Sequence, residues 1–303
     1  MTKILSFPER KIKTIAQTTS TTAAVLLVIT LTATTGLINV WAANLIGTSG
    51  PDTLEGTDED DFIDGRGGND IITDGLGSDE ILGGRGDDNI EIEGTGEDSS
   101  SDTEGNQDEA DGERGDDNIV IDAETGFIVV HGGSDDDFIH GIQGTGEIYG
   151  DSGDDEILTG DAQFDVRGGS GNDVIDGASE CVIPNAYGES GNDRIISPGR
   201  FASGGSGNDF IQYLDCVGVA YGDSGNDELR ASPDNDGTEL HGGSGSDKVI
   251  GDTNDDQLFG DGNSDTLTGN EGADAFFCGS GRDTITDFNA DEGDTKTGDC
   301  ENF

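Results

Sequence analysis

The chain has 303 residues, with 66 acidic against 14 basic side chains, a formal charge of −52, 52 glycines, one tryptophan and one methionine. A basic nucleic-acid-binding domain is excluded, because phosphate recognition needs clustered Lys and Arg and this surface would repel a polyanion. Leu, Ile, Val and Phe supply only 51 of the 261 residues from Ala43 onward, just under the roughly 20% below which a highly charged chain is expected to stay disordered. Either the chain does not fold, or a positively charged component absent from the sequence completes the fold.

The N-terminus reads as a separate object. Lys3, Arg10, Lys11 and Lys13 precede an uncharged run from Ala23 to Val40, rich in Leu, Val, Ile and Thr, which closes on Val40-Trp41-Ala42. These are the parts of a secretory signal peptide cleaved after Ala42; an uncleaved membrane anchor is the alternative, though the run is barely long enough. Removing residues 1–42 takes away those four basic residues and Glu9, which leaves −55 on the exported part.

Past Asn44 the chain repeats itself. Aligned on one aspartate, the segments are GRGGNDIIT at 65–73, GGRGDDNIE at 83–91, GGSDDDFIH at 132–140, GDSGDDEIL at 150–158 and GGSGNDVID at 168–176. The series continues with GESGNDRII at 188–196, GGSGNDFIQ at 204–212, GDSGNDELR at 222–230, GGSGSDKVI at 242–250 and GDGNSDTLT at 260–268. The first six places are mostly Gly, Asp, Asn and Ser, which tolerate φ > 0 and tight curvature. The last three form a short strand with one inward aliphatic residue, such as Ile72, Ile90, Ile175 or Ile211. Two nonapeptides therefore close one flattened coil of 18 residues, and coils stack by parallel strand pairing. The aliphatic wall is thin, so the turns need an ion. Each presents an Asp carboxylate and several free carbonyls, the hard oxygens that Ca²⁺ accepts roughly six to eight at a time.

These segments closely resemble the hemolysin-type calcium-binding nonapeptide, G-G-x-G-x-D-x-U-x, of the RTX proteins. The resemblance implies an all-β fold: a right-handed parallel β-roll, or β-helix solenoid, of stacked 18-residue coils with multiple bound calcium ions. It also implies that each ion lies between the turns of adjacent coils, held by position-six aspartates and backbone carbonyls. In this sequence those aspartates are Asp70, Asp88, Asp117, Asp137, Asp155, Asp173, Asp193, Asp209, Asp227, Asp247, Asp265 and Asp283, with Asp61 and Asp79 near the start and Asp256 and Asp274 near the finish. About a dozen coils at roughly 4.8 Å each would make a rod about 60 Å long. RTX proteins often leave the cell by a far C-terminal signal, so an N-terminal signal peptide is a departure from that route.

From Asp117 the steps between these aspartates are 20, 18, 18, 20, 16, 18, 20, 18 and 18, a coil period and not a nonapeptide period. Alternate turns have lost the motif through the middle of the chain. Because successive nonapeptides sit on opposite edges, one edge should carry a nearly continuous calcium row. The other should be calcium-capped at its ends, with irregular segments between, at 92–111, 177–187, 197–203, 213–221 and 231–241. A cell-surface or extracellular partner would meet that irregular edge; the alternative is loops that drifted without one. On the order of a dozen ions would neutralise roughly half of the charge and make binding and folding one equilibrium.

The expected organisation is a signal peptide at 1–42, N-terminal calcium-binding repeats at 43–91, an acidic flexible insertion at 92–111, a β-roll with one irregular edge at 112–272 and a C-terminal cap at 273–303. Phe276, Phe277, Phe288 and Phe303 mark the cap, and in an exported chain Cys278 and Cys300 suit a disulfide across it. Cys181 and Cys216 lie two coils apart, roughly 10 Å along the stack, beyond disulfide reach unless the loops fold over; free or otherwise paired thiols are the alternative.

His131, His140 and His241 each precede a turn glycine without metal-ligand spacing and carry no expected role. No H-E-x-x-H, G-x-S-x-G or phosphate loop occurs, so no enzyme is expected. The expected function is a secreted calcium-binding β-roll, structural or adhesive at the cell surface or in the medium, with no stable membrane association once the signal is cleaved. An RTX exoprotein with enzymatic or cytolytic activity and an acidic mineral binder are the alternatives.

Overall fold

A computed structural model describes residues 42–94, 107–123, 126–160, 162–177, 185–196, 198–214, 218–232 and 237–300. The expected signal peptide, but for Ala42, lies outside the described residues, as do Cys181, Cys216 and Phe303.

A triplet such as Phe62-Ile63-Asp64, between the turns at 56–61 and 65–70, is long enough for one short strand and no more. Twenty-seven strands run among the described residues from Asn44–Ile46 to Thr295–Lys296. They alternate between two parallel sheets of 14 and 13 strands, so that each strand pairs with the next but one in sequence. The register follows the repeat: Ile63 faces Ile81 in the larger sheet and Ile72 faces Ile90 in the smaller. Steps of other lengths keep that alignment, as with Ile119 opposite Ile139 and Ile195 opposite Ile211, because the extra or missing residues fall in the connections. The chain is an all-β parallel solenoid of 18-residue coils, a β-roll.

The core is one side chain thick from each sheet. The smaller sheet contributes an aliphatic column that includes Leu54, Ile72, Ile139, Ile211 and Ile285, all buried. In the larger sheet the column runs through Ile81, Val130 and Val166, narrows to Ala186, Ala202 and Ala220, and widens again to Leu240, Leu258 and Phe276. Tyr213 is fully buried in the narrow part, and its hydroxyl donates to the Val219 carbonyl at 2.9 Å. Each large buried apolar side chain contributes about 1.5–3 kcal/mol, with one such side chain in most strands and two in strands such as Asn89–Ile92 and Gln163–Ser170.

Two expectations change here. Residues 92–111 are not all insertion: Ile92 ends the strand Asn89–Ile92, and Gln107–Arg114 is an eight-residue strand in which Asp108 and Ala110 are buried. That strand lacks a large apolar residue, but Ile81 and Val130 on either side of Ala110 supply the core. The histidines are not idle either. On the outer face of the larger sheet His131 stacks on Tyr149 at 4.5 Å, and His241 lies between Tyr221 at 4.6 Å and Phe259 at 4.1 Å. Arg167 sits over the rings of both Tyr149 and Tyr187, so this column of side chains holds coils together from outside.

At the C-terminal end Phe276 contacts Phe288, Thr295–Lys296 pairs with Ala275–Phe277, and a disulfide joins Cys278 to Cys300.

Candidate metal centre

Each turn on the edge that feeds the smaller sheet ends in an aspartate immediately before the strand. Its carboxylate points into the turn. The backbone N–H of Asp52 donates to Asp70 Oδ1 at 2.7 Å, and Asp70 N–H donates to Asp88 Oδ1 at 2.7 Å. The pattern continues through Asp117, Asp137, Asp155, Asp173, Asp193, Asp209, Asp227, Asp247 and Asp265 to Asp283, with distances of 2.7–3.0 Å. The aspartates thus form a continuous row, one coil apart along the whole described stack.

One oxygen of each carboxylate is committed to that ladder; the other is not. From Asp70 through Asp265 the Oδ2 atoms are buried and have no hydrogen-bond partner. Uncompensated buried carboxylates are costly. Burial pushes Asp117 and Asp137 up to about 8 and Asp173, Asp193 and Asp227 to about 7; the donated backbone N–H pulls each down, and neighbouring aspartates push in the same direction as burial.

In the turns of this row from Gly47 to Gly260 the opening glycine keeps space in front of that oxygen. A Cβ on Gly65 would lie 2.6 Å from Asp70 Oδ2 and 2.4 Å from the Gly83 carbonyl oxygen of the next coil. On Gly150 it would lie 2.4 Å from both Asp155 Oδ2 and the Gly168 carbonyl. Carboxylate and carbonyl oxygens from adjacent coils thus converge on a point that only a glycine leaves open. That donor set fits a hard divalent cation such as Ca²⁺.

Among the described residues the opposite edge carries the same ladder only at its ends. Asp61 N–H donates to Asp79 Oδ1 at 2.6 Å and Asp79 N–H to Asp108 Oδ1 at 3.1 Å; far along the stack Thr238, Asp256 and Asp274 donate in turn to Asp256, Asp274 and Asp294. Between them the register carries Asp108 on to Ile128, Gly146 and Phe164. Ile128 and Phe164 are fully buried, and the Phe164 ring packs over Gly141 and Gly144. This stretch is more than a set of irregular loops: apolar side chains occupy the corner where carboxylates stand elsewhere, and the strands there run to eight residues.

Three ladder residues escape the sequence alignment. Asp52 sits in GTSGPDTLE at 47–55, a legible copy of the motif. Asp108 is hidden in an acidic run whose strand carries Ala110 in the aliphatic place. Asp294 follows Asn289 where glycine usually opens the turn. Spacing from Asp79 and Asp274 would have found the last two only with the connection lengths known.

Protein-family comparison matches the RTX calcium-binding nonapeptide repeat, in four-copy form, to residues 46–73, 65–91, 165–179, 221–258, 235–267 and 250–285. The chain carries RTX calcium-binding repeats. A search of curated proteins finds no match. The RTX repeats that match lie mainly toward the two ends, where both turns of a coil hold an aspartate. The ladder joins them without a break across the unmatched coils from Asp117 to Asp155 and from Asp193 to Asp209.

Proposed function

We propose that this protein is a secreted, non-catalytic calcium-binding β-roll, a structural or adhesive component of the cell surface or extracellular medium. The observation that carries the reading is the column of buried aspartates from Asp70 to Asp265, each holding one oxygen in the ladder and one without a partner. Calcium bound between these turns supplies the positive charge that the facing carboxylates lack. The proposed ligands are the continuous row, from Asp70 and Asp88 to Asp283, with Asp61, Asp79, Asp256 and Asp274 at the ends of the other edge. The ladder bonds space the carboxylates one coil apart, the opening glycines keep the ion position clear, and the inward aliphatic columns exclude water.

Secretion is supported by the basic and apolar segment ahead of Trp41, by the Cys278–Cys300 bridge, which suits an oxidising compartment, and by the plentiful calcium found outside cells. The adhesive role rests on the interrupted edge, whose connections differ in length and sequence where the other edge repeats.

Equilibrium dialysis of the full chain against calcium tests the site. Saturation at a fixed number on the order of a dozen ions, reduced by one or two in Asp173→Asn, is the expected result, since Asp173 borders two intervals of the row. Gradual uptake that never saturates and ignores Asp173→Asn would instead describe a polyelectrolyte and overturn the reading.

A further inference from the structure

Three described turns keep their carboxylate although glycine does not open them: Cys278 stands before Asp283, Asn289 before Asp294 and Asp74 before Asp79, and of the three opening residues Asp74 alone is itself a carboxylate. In 74–82 the opening place holds Asp74. A side chain grown from the equivalent Gly65, Gly83 or Gly168 would point at the Oδ2 of the aspartate five residues on, at 2.4–2.7 Å. Asp74 is built on that vector. One ligand oxygen from Asp74, one from Asp79 in the same turn and one from Asp108 in the next coil all lie within 4.8 Å of one another.

All three side chains are at most 2% exposed. Each has one oxygen engaged: Asp74 Oδ1 accepts from Glu93 N–H at 2.8 Å, Asp79 Oδ1 from Asp61 N–H at 2.6 Å and Asp108 Oδ1 from Asp79 N–H at 3.1 Å. The three Oδ2 atoms have no hydrogen-bond partner. An interval of the ordinary row is bordered by two carboxylates; this one has a third, supplied from the place where the repeat has a glycine.

We propose that Asp74, Asp79 and Asp108 form a cation site distinct from the repeat row, a three-carboxylate site that binds Ca²⁺ more tightly than any row position and fills first. The proposal rests on the calcium reading of the row. A third buried carboxylate raises the attraction for any cation, and raises it more for a trivalent ion than for a divalent one. The location gives the ion a structural task. Asp79 and Asp108 are neighbours in the stack but 29 residues apart in the chain, a separation matched along the ladders by Asp88 and Asp117 on the other edge and exceeded by none. An ion there ties together the two ends of that long connection, whose closure costs more entropy than that of the shorter ones.

Europium(III), a hard cation whose excitation line reports the charge of its ligands, distinguishes the two kinds of site. The full chain in calcium-free buffer is titrated with Eu³⁺, with Ca²⁺ competition read in parallel. The first equivalent should give a line characteristic of three carboxylates. Asp74→Gly, which restores the residue of the repeat, and Asp74→Asn, which keeps the size, should each lose that line and weaken the first equivalent about tenfold or more, with later equivalents unchanged. Asp274→Asn, at the far end of the same edge, should leave the first equivalent intact. First-equivalent affinity and line position unchanged in both Asp74 variants would overturn the site while leaving the row standing. Absence of saturable Ca²⁺ or Eu³⁺ binding in every variant would overturn the row and this site together.

Discussion

Asp173 holds two opposite demands in one side chain. Its Oδ1 must accept the Asp155 N–H at 3.0 Å, which favours the ionised form, while burial of its Oδ2 without a partner favours the neutral one. Burial is the larger effect, and it raises the carboxyl to about 7. The same balance places Asp88, Asp155 and Asp209 at about 6 and Asp117 and Asp137 at about 8. A carboxyl whose folded-state value lies above its unfolded value of 3.8 stabilises the fold fully below that value and loses the contribution as pH rises through the folded one. The metal-free chain should therefore gain β-structure on acidification, with the transition between about pH 8 and pH 4. Far-UV circular dichroism in chelator across that range checks the sign, and a metal-free chain equally unfolded at pH 4 and pH 8 would contradict it.

At the scale of elements the two edges solve one problem in two ways. On one, every strand of the smaller sheet is preceded by an aspartate. On the other, Ile128 and Phe164 take the carboxylate's place and fill the corner by packing. Phe164→Ala should then cost about 3–5 kcal/mol in saturating calcium, read by urea unfolding, without changing the number of ions bound. A fall in calcium stoichiometry in that variant would show that the corner serves the ions after all. The strand period, the coil period and the distinction between the edges were legible in the sequence, because Asp117, Asp137 and Asp155 recur at steps a reader can count. The apolar corner was not, since Ile128 and Phe164 lie outside any recognisable nonapeptide and only strand register aligns them with Asp108. Asp108 itself was illegible for a related reason: its strand, Gln107–Arg114, has the alternation of a buried strand but only Ala110 to show for it. The ladder of His131, Tyr149, Tyr221, His241 and Phe259 needed the coil register too, because those residues come from different turns.

For the whole molecule, the formal charge of −52 and the thin apolar columns belong together. A solenoid whose coils contact only their neighbours gains stability from each interface in turn, and here most interfaces bring two buried carboxylates face to face. On the proposed calcium reading such a stack should close when cations are present and open when they are withdrawn, which would link folding and binding at every coil. The full chain moved from chelator into millimolar calcium at neutral pH and followed by far-UV circular dichroism tests that linkage most directly. The account predicts a cooperative change from a disordered to a β-type spectrum, reversed by chelator, and identical spectra in the two conditions would contradict it.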